Sequence, residues 1–169
     1  MSEPEIPADW VEMQLRGLIL DPHNEAPVVI LREQGGPTFL PIWIGVFEAQ
    51  AIALAIERVD LPRPMTHDLL GSTIAALGGR LRRIEIHSLR EGTYFARLIV
   101  ETAVGVIDVD SRPSDAIALA LRAQAPIWTA RKVLEDALSA SKATDTTDDE
   151  RLREWLTNAR PEDLGKYPM

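Results

Sequence analysis

Cysteine is absent from the 169 residues. Disulfides, thiolate nucleophiles and cysteine-ligated zinc are therefore excluded. Histidine is almost as scarce, with three copies, and none has the HExxH spacing of a zinc protease; P-loop, GxSxG and dinucleotide fingerprints are missing too. Aromatic residues make up only 5% of the chain. Trp10, Trp43, Trp128 and Trp155 are scattered singly, which suits core or interface anchors better than a base-stacking platform. Excess positive charge is lacking: 18 basic residues face 26 acidic ones, a formal net charge of −8. That balance argues against broad, sequence-independent binding to duplex nucleic acid or to an acidic membrane. No apolar run approaches a membrane span, and the polar, acidic N-terminus has no basic region followed by an apolar one. The expected location is the cytoplasm, with no membrane partner.

What the chain does have is 46% hydrophobic residues, enough for one core of ordinary size plus a tail. Strand-like runs are expected over Val11–Leu20, Val28–Arg32 and Phe39–Ile44, separated by turns at Asp21–Glu25 and Gln34–Pro37. A buried helix follows over Val46–Glu57. After the helix-breaking Leu61-Pro62-Arg63-Pro64, Thr66 reads as the N-cap of a helix over His67–Leu77, stopped by Gly78-Gly79. Three more strands are expected over Arg82–Leu89, Thr93–Glu101 and Gly105–Asp110. In the first of them Arg83, Glu85 and His87 occupy the polar face.

The densest stretch is Asp108-Val109-Asp110-Ser111-Arg112-Pro113-Ser114-Asp115, which feeds the run Ala116–Leu121. It reads as a strand end, a polar turn and a helix apolar nearly all round, which must be buried. Ser111 is placed to cap it, Pro113 suits its first turn, and Asp115 complements the positive end of its dipole. Ala51–Ile56 repeats Ala116–Leu121 almost letter for letter at an offset of 65, with Ile42 and Ile44 falling on Ile107 and Val109. The fold expected is α+β: a mixed β-sheet core built from two related strand-strand-strand-helix halves. Further elements are a short strand or link at Pro126–Thr129, a helix over Arg131–Ser141 and a short C-terminal helix carrying Leu152, Trp155 and Leu156. Residues 1–141 form the domain, 142–150 an acidic linker and 151–169 the helix and tail.

If the halves pack about a pseudo-twofold axis, both helix N-termini face one cleft and bring together Glu48, Arg112 and Asp115. Backbone donors and an arginine there suit phosphate oxygens, and carboxylates suit a divalent cation. The second polar knot, Arg63-Pro64-Met65-Thr66-His67-Asp68, adds an imidazole and another carboxylate in a first turn. Each motif also has a purely architectural explanation as a cap, a turn or a dipole partner. That explanation accounts for Asp68 fully and for His67 not at all.

Four stretches together resemble the bifunctional nuclease domain family: Leu40-Pro41-Ile42-Trp43-Ile44-Gly45 with Glu48-Ala49 and Ala51-Ile52-Ala53; Arg63–Leu69; Glu91-Gly92-Thr93-Tyr94-Phe95-Ala96; and Asp110–Leu119. The resemblance covers roughly Val11–Leu138. It implies hydrolysis of phosphodiester bonds in RNA and DNA. The residue roles are inferences from the residues themselves. His67, Asp68, Glu48 and Asp115 are expected to be catalytic, with Glu48, Asp68 and Asp115 holding a divalent cation such as Mg²⁺. Arg112, Arg63 and Ser114 are expected to bind the substrate, a single-stranded or flexible nucleic acid. Metal-free cleavage of RNA through its own 2′-OH, with His67 as base, is the alternative chemistry. The alternative function is a non-enzymatic module that recognises a small anion or a protein partner. In either case a homo-oligomer is expected, with a dimer favoured.

Overall fold

In the computed structural model, which describes residues 6–22, 24–143 and 158, β1 (Trp10–Leu20), β2 (Pro27–Glu33) and β3 (Phe39–Trp43) form an antiparallel meander that leads into α1 (Val46–Ile56). After α2 (Thr66–Ala76) the plan recurs: β4 (Arg80–Arg90), β5 (Thr93–Thr102) and β6 (Gly105–Ser111) form a second antiparallel meander, leading into α3 (Pro113–Ala123). The tight β4–β5 turn is made by Glu91 and Gly92, both at positive φ, which matches the right-handed twist of the strands on either side. Then β7 (Ile127–Ala130) leads directly into α4 (Arg131–Ala143).

The two meanders are not paired with each other directly. The sheet order is β3-β2-β1-β7-β4-β5-β6, so the four-residue β7 is the seam between them. It runs antiparallel to β1 and parallel to β4, which makes the sheet mixed. The expected α+β class and the two strand-strand-strand-helix halves are thus observed. The halves are joined by the segment that from sequence read as a short strand or a link.

One main core holds the alternate residues Val29, Leu31, Leu40 and Ile42 of one half and Ile84, Ile86, Leu98 and Val100 of the other. Residues Ala116 to Ala120 of α3 lie among them at no more than 1% exposure. The helix expected to be buried all round is therefore buried. The helix that repeats its sequence is not: α1 buries only Ala49, Ile52 and Ala53, and Val46, Phe47 and Ile56 are exposed. Only one side of α1 is covered, by α3 and the sheet. A run of apolar letters does not say whether its second side meets the chain's own core.

On β4, Glu85 shares the polar face with Arg83, opposite Ile84 and Ile86, yet it is buried. Its carboxylate is buried between Arg83 Nε at 2.6 Å and Arg97 Nε at 2.7 Å, so the charge is neutralised where water cannot reach it. Arg97 also donates to Asp108. Asp108 of β6 is thus met by a guanidinium.

The expected linker and C-terminal helix fall outside the described residues, except that α4 extends through Ala143. Among the described residues no helix is long and apolar enough to cross a membrane.

Candidate functional site

Three helix N-termini meet at one cleft of about 330 Å³, lined by Phe47, Glu48, Gln50, Met65, His67, Arg112, Asp115 and Arg122 among others. Arg112 is the N-cap of α3 and lies in extended backbone. Its Nε donates to Asp115 Oδ2 and its Nη1 to Glu48 Oε1, both at 2.7 Å. The first turn of α1 is thereby tied to the first turn of α3. Gly45, the N-cap of α1, makes this possible: a Cβ there would collide with the carboxylate of Glu48. From the first turn of α2, His67 Nε2 lies 3.0 Å from Asp115 Oδ1. Asp115 therefore holds the guanidinium on one oxygen and the imidazole on the other.

The neighbouring residue of α2 makes a separate pair. Asp68 Oδ1 accepts from Arg122 Nε at 2.7 Å, and Oδ2 accepts from the backbone N–H of Met65 at 2.9 Å. These bonds matter because no residue of α2 is buried. Its first turn is held to α3 by two ionic hydrogen bonds, His67 to Asp115 and Asp68 to Arg122.

The structure brings together Glu48, Arg112 and Asp115, as the pseudo-twofold argument anticipates, and adds His67 from α2, with Asp68 beside them. Arg63 and Ser114 do not line the cleft; Arg63 is exposed in the preceding bend and Ser114 is buried in the first turn of α3. Two capping expectations are corrected. Met65, not Thr66, is the N-cap of α2. Ser111 ends β6 and its hydroxyl donates to the carbonyl of Arg112. Arg122 was not singled out from sequence; the available signal was a lone cation in the last turn of an otherwise apolar helix.

Comparison with known proteins now bears on these residues. The sequence profile of the bifunctional nuclease domain matches residues 29–142, a span that contains all three helix N-termini. The chain belongs to the bifunctional nuclease domain family. It is 40% identical over 162 residues to an uncharacterized protein of Mycobacterium tuberculosis, covering 90% of this chain and 97% of that one. It is also 32% identical over 112 residues to bifunctional nuclease 2 of Oryza sativa subsp. japonica, and 29% identical over 105 residues to bifunctional nuclease 1 of Arabidopsis thaliana. Those matches cover 63% and 60% of this chain but only 34% and 32% of the plant proteins, so it spans about a third of their length.

In this member of the bifunctional nuclease domain family the carboxylates do not form a ready-made metal centre. Among the described residues no three His, Asp or Glu side chains gather to hold an ion. Glu48 and Asp115 already share Arg112, and Asp68 is turned to Arg122. The set Glu48, Asp68, Asp115 expected to bind a cation is thus divided between two guanidinium partners.

Burial pushes the Asp115 carboxyl up, but hydrogen bonds from Arg112 and His67 outweigh it and hold it below the ordinary aspartate value of 3.8. For Asp68 burial is likewise outweighed, by the Met65 amide and Arg122, and its carboxyl is also lowered. The Arg112 guanidinium is correspondingly raised by Asp115 and Glu48. Carboxyls lowered on folding contribute stability that is complete above the ordinary value and is lost as pH falls through the lowered one. Both tethers of α2 use such carboxyls. On acidification below about pH 4, the ordinary aspartate range, amide exchange in α2 is expected to accelerate before that in α3. Hydrogen exchange followed by mass spectrometry checks this; simultaneous loss of both helices would show that α2 does not depend on the two tethers.

Proposed function

We propose that this chain is a nuclease that hydrolyses phosphodiester bonds in RNA and single-stranded DNA. The observation that carries this reading is the hydrogen bond of His67 to Asp115 beside Arg112, at the mouth of three helix N-termini. Arg112 remains 64% exposed at its side chain although it is paired with both Glu48 and Asp115. It can therefore still donate to a phosphate oxygen. Asp115 orients the imidazole, whose second nitrogen is left to exchange a proton with the substrate. In cleavage, the oxygen of water bonds to phosphorus as the bond to the leaving oxygen breaks. The imidazolium of His67 protonates that oxygen, the proton of water passes to solvent, and Arg112 stabilises the charge on the phosphoryl oxygens.

Charge balance sharpens the role of His67. Glu48 and Asp115 against Arg112 leave one negative charge, which repels a phosphodiester; an imidazolium at His67 cancels it. The protonated imidazole is also the form that a general acid requires.

The test is cleavage of end-labelled single-stranded RNA and DNA by the purified protein in Mg²⁺, Mn²⁺ or EDTA, with Asp115→Asn as the comparison. Cleavage by the wild type and not by the variant is expected, and no cleavage in any condition would overturn the proposal. Activity that survives EDTA assigns the chemistry to His67 and Arg112. Activity that requires a divalent ion makes the carboxylates ligands once Arg112 turns to the substrate. The non-enzymatic reading, recognition of a small anion, is favoured by one observation: the three site carboxylates are each paired with a guanidinium. A second copy of the chain is the other proposed partner. Edge strand β6 supports it, since it leaves Val106, Ile107 and Val109 exposed.

A further inference from the structure

Phe47 is 84% exposed, although it lies in a helix whose sequence is almost wholly apolar. Leaving a phenyl ring in water forgoes the stabilisation that its burial would supply. It belongs to no part of the core, because α1 turns Ala49, Ile52 and Ala53 inward. The residue after it is Glu48, whose carboxylate grips Arg112. The ring therefore stands in the wall of the same cleft as the phosphate-binding guanidinium, with half-exposed Met65 and the polar Gln50 also in that wall. A phosphodiester seated on Arg112 carries a base on each side, and an unstacked base needs a flat apolar surface to lie against.

We propose that Phe47 is the base-stacking residue of this site and restricts it to single-stranded nucleic acid. The inference rests on the nuclease reading and names how the substrate is held. Bases in a duplex are already stacked on their neighbours and have no free face to offer. A single strand does have one, and because every base has a π-face the contact is tolerant of sequence. The cleft volume of about 330 Å³ is at the small end of ligand pockets, which run from about 300 to 1,000 Å³. It suits a single nucleotide unit. Stacking also supplies attraction that does not depend on charge, which a chain with a net charge of −8 needs in order to hold a polyanion.

The experiment is a fluorescence-anisotropy titration of labelled single-stranded and hairpin DNA with wild type, Phe47→Ala and Phe47→Trp, alongside the cleavage assay. From the stacking contribution of about 1–3 kcal/mol per base, Phe47→Ala is expected to weaken single-strand binding by about 5- to 150-fold. Phe47→Trp should restore it, with indole fluorescence quenched on binding. The hairpin stem should bind poorly to all three. Unchanged single-strand affinity in Phe47→Ala overturns the stacking role. If the variant instead changes the mass of the assembly in light scattering with affinity intact, the ring belongs to a contact between copies and the proposal is likewise overturned. Binding without cleavage by the wild type would remove the nuclease reading while leaving the stacking contact in place, so the two failures are separable.

Discussion

Replacing His67 by alanine is expected, on the proposed nuclease function, to lower strand cleavage by about 10²- to 10⁴-fold, the usual contribution of a positioned acid or base. Alanine also removes one of the two tethers of α2, so the informative variant is His67→Gln. Its side-chain amide can donate to Asp115 in place of imidazole Nε2 and keep α2 attached, but it cannot carry a proton in catalysis. His67→Gln is thus expected to fold and bind like the wild type while kcat falls by the same factor. Cleavage by His67→Gln at the wild-type rate would show that the residue serves only to hold α2.

Replacing Ile117 by alanine lowers the unfolding free energy by about 2–5 kcal/mol. Ile117 is fully buried in α3, with Ala116 and Ala118 to Ala120 beside it at no more than 1% exposure. Ala116, Ala118 and Ala120 have no side chain that can swing into the space left behind, which favours a lasting cavity. Urea denaturation followed by circular dichroism gives the shift in midpoint, and Leu77→Ser is the comparison. Leu77 is 82% exposed at the end of α2, and its substitution is expected to change stability by no more than about 0.5 kcal/mol. A cost for Ile117→Ala no greater than that of Leu77→Ser would mean that α3 is not the centre of the core. The site is predicted to suffer with the fold, because Arg112 and Asp115 are the first residues of this same helix.

The strands of both halves, the four helices and the burial of α3 could be read from alternation, turn residues and the repeat at an offset of 65. The meeting of Glu48, Arg112 and Asp115 could be read for the same reason: a repeated strand-helix unit places equivalent helix starts side by side. Other features left no local trace. The position of β7 depends on pairing with β1 and β4, more than a hundred and about forty residues away in sequence, and its four letters carry no information about partners. Asp68 looks like a member of the Glu48–Asp115 group because it follows His67 directly. Successive residues of a helix point about 100° apart, however, and this turn takes it to Arg122 instead. The polar face of β4 was legible, but the burial of Glu85 was not, because it depends on Arg97 of the neighbouring strand joining Arg83 to neutralise the carboxylate.

The seam at β7 has a consequence for how the protein comes to exist. Each meander is built from neighbours in sequence and can form early, but Val11 waits for Thr129 and Ile84 for Ile127. Contacts of such long range are slow to establish, since the intervening chain must first be ordered. Until β7 is made, the two halves are therefore expected to stand as separate sheets, each with an unpaired inner edge. A chain interrupted before Ile127 would present both edges at once to other chains, which makes it a candidate for aggregation rather than a smaller working domain.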